Sequence, residues 1–151
     1  MKKKRILVVD DDPFIVELMQ FSLEEAGYEV ISANDGERAV SLAGTESPDM
    51  ILLDVMMPKL NGYEVCARLK QDPRTQGMPV IMVTARVQKQ EILKAMDSGA
   101  KDYISKPFSP KELVAKVAYD LFNGAHVSEH AVTAFLGLKI HNVPGSNNHQ
   151  E

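Results

Sequence analysis

The chain has little of what marks several large protein classes. It has a single cysteine among 151 residues, Cys66, so no intramolecular disulfide can form, and we expect a cytoplasmic protein. No apolar stretch approaches the roughly 20 residues that span a membrane, and Asp10 to Asp12 cut the first apolar run too short for a signal peptide. Positive charge is not in excess, because 17 Lys and Arg stand against 21 Asp and Glu. A formal net charge of −4 argues against direct nucleic-acid binding.

What the chain does have is a regular alternation of short apolar runs and amphipathic segments. Two of the runs, 6–9 and 50–53, are branched and uninterrupted, which is typical of buried parallel strands, because helices cover both faces of such a sheet. We predict strands at residues 5–9, 28–33, 49–53, 80–83 and 102–105. We predict helices at 13–26, 36–43, from the loop at 58–62 to about 70, 88–97 and 110–122. This alternation indicates a single α/β domain with a doubly wound parallel sheet.

Acidic residues follow two of the predicted strands. Asp10, Asp11 and Asp12 end the first apolar run, and Asp54 ends the third. Ligands of open α/β sheets bind beyond the carboxyl ends of the strands, and a buried carboxylate must be paired, hydrogen-bonded or bound to a cation. The pattern therefore predicts a site for a hard divalent cation, with one carboxylate available for chemistry. The alternative is helix capping before Pro13, which is the better interpretation for Asp12.

Two further polar side chains follow later strands. Thr84 ends the fourth strand and Lys106 ends the fifth, so both are expected at the same edge of the sheet as the carboxylates. Two or three carboxylates suit Mg²⁺, which prefers oxygen ligands and keeps several waters. A hydroxyl and an ammonium beside that cation suit the oxygens of a phosphoryl group. Taken singly, Thr84 is an ordinary turn residue and Lys106 a solvated one, and it is their joint placement that favours a phosphoryl site.

The motifs at these strand ends resemble those of bacterial response-regulator receiver domains, in particular the single-domain chemotaxis-regulator type. The match is colinear from about Arg5 to Phe122. It rests on Asp10-Asp11, Leu53 to Pro58 around Asp54, Gly62, Thr84-Ala85, Gly99-Ala100 and Asp102 to Phe108. Each motif is weak alone, but the ordered set is specific. The resemblance implies a (βα)5 flavodoxin-like fold with strand order 2-1-3-4-5.

The resemblance also implies a role for each acidic residue. Asp54 would accept a phosphoryl group from a phosphohistidine on a sensor histidine kinase or a histidine phosphotransfer protein. Asp11, Asp54 and the backbone carbonyl of Met56 would bind Mg²⁺ directly, and Asp10 would act largely through a metal-bound water. Met56 cannot orient an attacking water as an amide could, so slow self-dephosphorylation is expected. We regard the chain as a signalling switch with self-phosphorylation chemistry rather than an enzyme that turns over a substrate.

The remaining site residues take their roles from the same resemblance. Lys106, joined to Pro107 by a cis peptide bond, would pair with a phosphoryl oxygen. Thr84 would donate its hydroxyl to the phosphoryl group once it is attached, and Ala85 would keep the entrance open.

Tyr103 has two interpretations. It is a half-buried aromatic of an edge strand, or, as the resemblance implies, a switch that turns inward when Thr84 moves toward the phosphoryl group. We favour the switch, because both partners are present. The output surface, which would contact a downstream protein, consists of helix 88–97, strand 102–105 and helix 110–122. A homodimer through the same surface stays an alternative, because Glu112 and Lys116 resemble part of the dimer contacts of DNA-binding receivers.

The preferred interpretation is a stand-alone regulator that acts through protein contacts, and two alternatives stay open. The first is the receiver part of a longer regulator, with a DNA-binding or enzymatic domain after Glu151. The second is an enzyme with an aspartyl nucleophile, or a flavodoxin-like FMN protein. An aspartyl phosphatase would have an aspartate at the position of Met56. An FMN phosphate would be repelled by the sequence Asp10-Asp11-Asp12-Pro13.

The last part of the chain lies beyond the resemblance. We divide the chain into a receiver domain at 1–123 and an extension at 124–151, which is too short for a DNA-binding output domain. Ser128 begins a predicted helix at 128–138, followed by a flexible tail. We expect the apolar face of this helix to dock near the end of helix 110–122.

Overall fold

The computed structural model describes residues 2–122. The predicted extension at 124–151, with its helix at 128–138, lies outside the described residues, so its docking stays a prediction.

The strands form one five-stranded parallel sheet. They are β1 (Arg5–Val9), β2 (Glu29–Ala33), β3 (Met50–Leu53), β4 (Val80–Thr84) and β5 (Asp102–Ser105). Their order in the sheet is β2-β1-β3-β4-β5, and every neighbouring pair is parallel. The predicted fold class and strand order are therefore confirmed.

Each strand is followed by a helix. The helices are α1 (Pro13–Glu25), α2 (Gly36–Glu46), α3 (Gly62–Gln71), α4 (Lys89–Asp97) and α5 (Pro110–Phe122). Asp12 caps α1 by accepting a hydrogen bond from the Phe14 amide at 2.9 Å, as its sequence position predicted. The predicted end of α2 at residue 43 was wrong. This helix continues through Gly44 to Glu46, and the chain turns at Ser47, which has a left-handed φ of 48°.

The apolar core forms two layers, one on each face of the sheet. In β1, Leu7 and Val9 belong to one layer, while Ile6 and Val8 belong to the other. The first layer is covered by α2, α3 and α4, and the second by α1 and α5. Because helices cover both faces, the central strands β1, β3 and β4 are almost entirely buried and mostly apolar, whereas the edge strands β2 and β5 also contain polar residues such as Glu29 and Asp102. Cys66 packs in the first layer as a buried residue among apolar neighbours.

None of the helices within residues 2–122 combines the length and apolar composition needed to cross a membrane.

Candidate active site

The register of the sheet brings the acidic residues together at the carboxyl ends of β1 and β3. Val9 pairs with Leu53, and the amide of the next residue, Asp54, donates to the Val9 carbonyl at 3.0 Å. Carboxylate oxygens of Asp10, Asp11 and Asp54 lie within 4.8 Å of one another. Asp10 is 1% exposed and Asp54 5% exposed, whereas Asp11 is exposed. The cluster is therefore a pocket with two buried carboxylates and one at its mouth.

Lys106 supplies the positive charge of the pocket. Its Nζ donates to Asp10 Oδ2 at 2.8 Å and lies 3.3 Å from Asp54 Oδ1. The backbone amide of Lys106 donates to the Thr84 carbonyl at 2.9 Å, and the peptide bond to Pro107 is cis. The close pairing with Asp10 is a contact that the sequence analysis missed. No local pattern signals it, because it depends on how β1 and β5 are placed in the finished sheet.

The carboxylates outnumber the ammonium, and the pKa values of Asp54 and Lys106 are both raised. Burial raises the pKa of Asp54, the charge of Asp10 raises it further, and Lys106 opposes both without cancelling them. Burial alone would lower the pKa of Lys106, but the hydrogen bond to Asp10 and the charges of both acids outweigh it, and the net pKa is raised. The pocket therefore has unbalanced negative charge on hard oxygen donors. This donor set fits Mg²⁺.

The loop that follows Asp54 packs tightly against the start of α3. The amide of Gly62 donates to the Val55 carbonyl at 2.9 Å. A Cβ at Gly62 would lie 2.8 Å from the Val55 Cα and closer still to the Asp54 carbonyl oxygen. The first turn of α3 is fixed by a capping box, in which Asn61 and Glu64 each accept from the other's amide. This packing fixes the backbone that carries Asp54.

Thr84 and Tyr103 occupy neighbouring strands beside the pocket. Thr84 is buried, and its Oγ1 accepts a hydrogen bond from the Arg86 amide at 2.9 Å, in the loop after β4. Tyr103 is half-buried and packs against the first core layer. The Lys116 ammonium lies 5.6 Å from the centre of the Tyr103 ring. The two residues of the predicted switch therefore lie on adjacent strands, Thr84 at the end of β4 and Tyr103 within β5.

Comparison with known proteins decides the family. Residues 6–118 match the family described as the response regulator receiver domain. The chain belongs to this family. The resemblance predicted from the motifs is confirmed, and the molecule is the receiver domain of a two-component response regulator.

Relatives of this receiver domain include full-length transcriptional regulators. It is 50% identical over 114 residues to the alkaline phosphatase synthesis transcriptional regulatory protein PhoP of Bacillus subtilis. It is 49% identical over 113 residues to the DNA-binding dual master transcriptional regulator RpaA of Synechocystis. These alignments cover 76% and 75% of the chain and 47% of each relative. The chain thus spans about half the length of the curated relatives it matches.

Solved structures show the same fold. The receiver domain superimposes on the chemotaxis protein CheY4 of Vibrio cholerae with a TM-score of 0.74 at 29% identity. The alignment covers 80% of this chain and 99% of that one.

Of the predicted site residues, the structure gathers the acids and the lysine into one cluster. The side chains of Asp10, Asp11, Asp54 and Lys106 form this group. Met56 lies at its edge with a side chain that is 55% exposed. The metal role of the Met56 carbonyl in this receiver domain stays a prediction.

Proposed function

We propose that this receiver domain is a phosphorylation-controlled switch whose phosphoryl acceptor is Asp54. The observation that supports the proposal most directly is the placement of the Asp54 carboxylate. It is buried beside two other carboxylates, and its Oδ1 lies 3.3 Å from the Lys106 ammonium. A carboxylate in this position is a nucleophile next to a cation that can neutralise an arriving phosphoryl group.

The donor that suits this site is a phosphohistidine on a sensor histidine kinase or a histidine phosphotransfer protein. An oxygen of Asp54 forms a bond to phosphorus while the bond from phosphorus to the imidazole nitrogen breaks. The imidazole leaves with the electron pair of that bond. A carboxylate is an adequate nucleophile for this transfer, because the donor is already activated.

The acidic cluster is a fitting site for Mg²⁺. Asp11, Asp54 and the Met56 carbonyl would hold the ion directly, with Asp10 acting through a bound water. Bound there, the ion supplies neutralisation of the charge on the transferring group. Asp10 also holds Lys106 in place through the 2.8 Å hydrogen bond, so this lysine is already oriented toward the pocket.

The signal leaves through the surface made of α4, β5 and α5. The Thr84 hydroxyl accepts from the Arg86 amide and keeps its own hydrogen for donation to a phosphoryl oxygen. Movement of Thr84 would let Tyr103 turn inward and change this surface for an unidentified downstream protein or a second copy of the chain. Phosphorylation shifts this equilibrium by as much as it stabilises the active conformation over the inactive one.

A second candidate is that this receiver controls a DNA-binding domain in a longer regulator. The observation that favours it is that PhoP and RpaA are named as transcriptional regulators and are about twice as long. In that case, nucleic-acid binding belongs to the second domain. The natural reading frame after codon 151 distinguishes this candidate from a stand-alone switch.

Phosphorylation by acetyl phosphate tests the assignment of Asp54. With Mg²⁺ present, intact-mass spectrometry should show one phosphoryl group on the wild-type protein and none on Asp54→Ala. A matched control is Asp97→Asn, because this exposed acid at the end of α4 lies outside the cluster. Chelating Mg²⁺ should suppress uptake. Equal uptake by wild type and Asp54→Ala would refute the proposal.

A further inference from the structure

A second charged cluster lies at the other end of the sheet, between β5 and α5. Asp102, the first residue of β5, is 0% exposed, and Lys116 and Asp120 of α5 are 8% and 3% exposed. The Lys116 Nζ donates to both carboxylate oxygens of Asp102 at 3.1 Å. Charged residues are almost never buried so fully unless they are paired. Lys116 and Asp102 make such a pair, and Asp120 is a second acid beside it.

In its charged form, the Asp120 carboxylate would have one oxygen without a hydrogen-bond donor among the described residues. Its Oδ2 is buried and accepts no hydrogen bond from any donor within the described residues. The neighbour of the Asp120 carboxyl is the Asp102 carboxyl. Two carboxylates in contact repel unless one of them carries a proton. Since Lys116 bonds both oxygens of Asp102, the proton belongs on Asp120, whose O–H then donates to Asp102.

We propose that Asp120 is protonated at neutral pH and that its proton controls the contact between α5 and β5. Loss of the proton would place two adjacent negative charges beside the ammonium of Lys116. That ammonium also lies 5.6 Å from the centre of the Tyr103 ring. Any shift of Lys116 toward Asp120 therefore changes the surroundings of Tyr103. The proposed titration of Asp120 does not depend on the proposed function. Its effect on signalling does rest on that function, because it requires the proposed output surface.

The surroundings of Asp120 determine the direction in which its pKa is shifted. Burial raises the pKa of Asp120, and the hydrogen bond and the charge of Asp102 raise it further. The cations Lys116 and Lys101 oppose this rise, and the resulting pKa is about 8. Lys101 also donates to the Asp120 backbone carbonyl at 2.9 Å, so it holds the last turn of α5 in either charge state.

A solvent-facing cavity lies beside Asp120. The cavity has a volume of about 440 Å³ and includes Asp120 in its wall. Its other charged lining residues are Lys4, Asp49, Lys70 and Lys101, from the segments before β1, β3 and β5 and from α3. Lys70 donates to the carbonyls of Gln76 and Met78, which holds its ammonium at the cavity wall.

The pH dependence of stability follows from the raised pKa. Between the ordinary pKa of 3.8 and about 8, the folded protein holds a proton on Asp120 that the unfolded chain releases. Stability from this proton is therefore fully present below pH 4 and is lost as the pH rises toward 8. Within this window, the unfolding constant should rise by up to about tenfold per pH unit. Asp120→Asn should lack this component, because its amide can donate to Asp102 without titrating.

Carboxyl NMR on the full chain tests the proposal. The ¹³C carboxyl signal assigned to Asp120 should titrate with a midpoint near 8, and the Tyr103 ring signals should move with the same midpoint. Both changes should vanish in Asp120→Asn and persist in Asp97→Asn, an exposed acid of α4. A titration midpoint near the ordinary aspartate pKa would overturn the proposal. This measurement uses the wild-type protein and requires no variant. Tyr103 movement that persists in Asp120→Asn would overturn the link to Tyr103.

Discussion

Replacing Gly62 with alanine places a methyl group where the fold has no room for one. The added Cβ would meet the Val55 Cα at 2.8 Å and the Asp54 carbonyl oxygen at a shorter distance. Both are backbone atoms, which cannot rotate away as the tip of a side chain can, so the loop after Asp54 must move. Overpacking of this kind costs about 1–3 kcal/mol, and the better helix propensity of alanine returns at most about 1 kcal/mol. Because the clash is with backbone, we expect a net loss of about 2 kcal/mol.

Urea denaturation and the rate of phosphorylation measure the two consequences of this substitution. With a urea m-value of about 1–3 kcal/mol/M, a loss of 2 kcal/mol moves the midpoint down by about 1 M. Phosphorylation should slow by at least about tenfold, since a displacement of about 1 Å at a reacting group can cost a factor of 100. Gly77→Ala is the control, because its added Cβ meets nothing within 4 Å among the described residues. Equal results for Gly62→Ala and Gly77→Ala in both measurements would show that tight packing at Gly62 does not position Asp54.

Two further substitutions test the charged cluster and the switch. Lys116→Met should destabilise the protein by about 3–5 kcal/mol in urea denaturation, because it leaves Asp102 buried without its cation, and exposed Lys111→Met should change little. Thr84→Ala should still take up phosphate but fail to transmit it. On adding beryllofluoride, amide shifts across 88–122 should change in wild type and stay near the pocket in this variant. Wild-type shifts confined to the pocket would contradict the proposed output surface.

The fold was predictable because its strands have a simple chemical signature. The central strands are buried on both faces and mostly apolar, and the strand ends are marked by polar residues such as Asp54 and Lys106. The ends of helices were harder to predict, because glycine can either end a helix or lie within one. Gly44 lies inside α2, and the left-handed turn falls at Ser47. The choice depends on tertiary packing and not on the local sequence.

The charged cluster at the amino end of β5 shows a signal that the sequence analysis overlooked. Leu113, Lys116, Val117 and Asp120 recur at the spacing of one helix face, and all four are buried. A lysine and an aspartate on an otherwise apolar face predict buried polar partners. Lys116 was instead expected on the exposed output surface, as part of a dimer contact. The identity of its partner, Asp102, could not be predicted, because this contact depends on how α5 lies against β5.

The hydrogen bond between Lys106 and Asp10 joins residues 96 positions apart in the chain. During synthesis, a ribosome delivers the three acids of the pocket long before it delivers the lysine. A nascent chain that ends before β5 therefore carries Asp54, the proposed nucleophile, without the ammonium of Lys106. In the proposed mechanism, the complete phosphoryl site therefore forms last, after β5 has joined the sheet. If the proposed function holds, translation products that end before β5 would lack the cation that neutralises the phosphoryl group, and they should accept it poorly from the kinase.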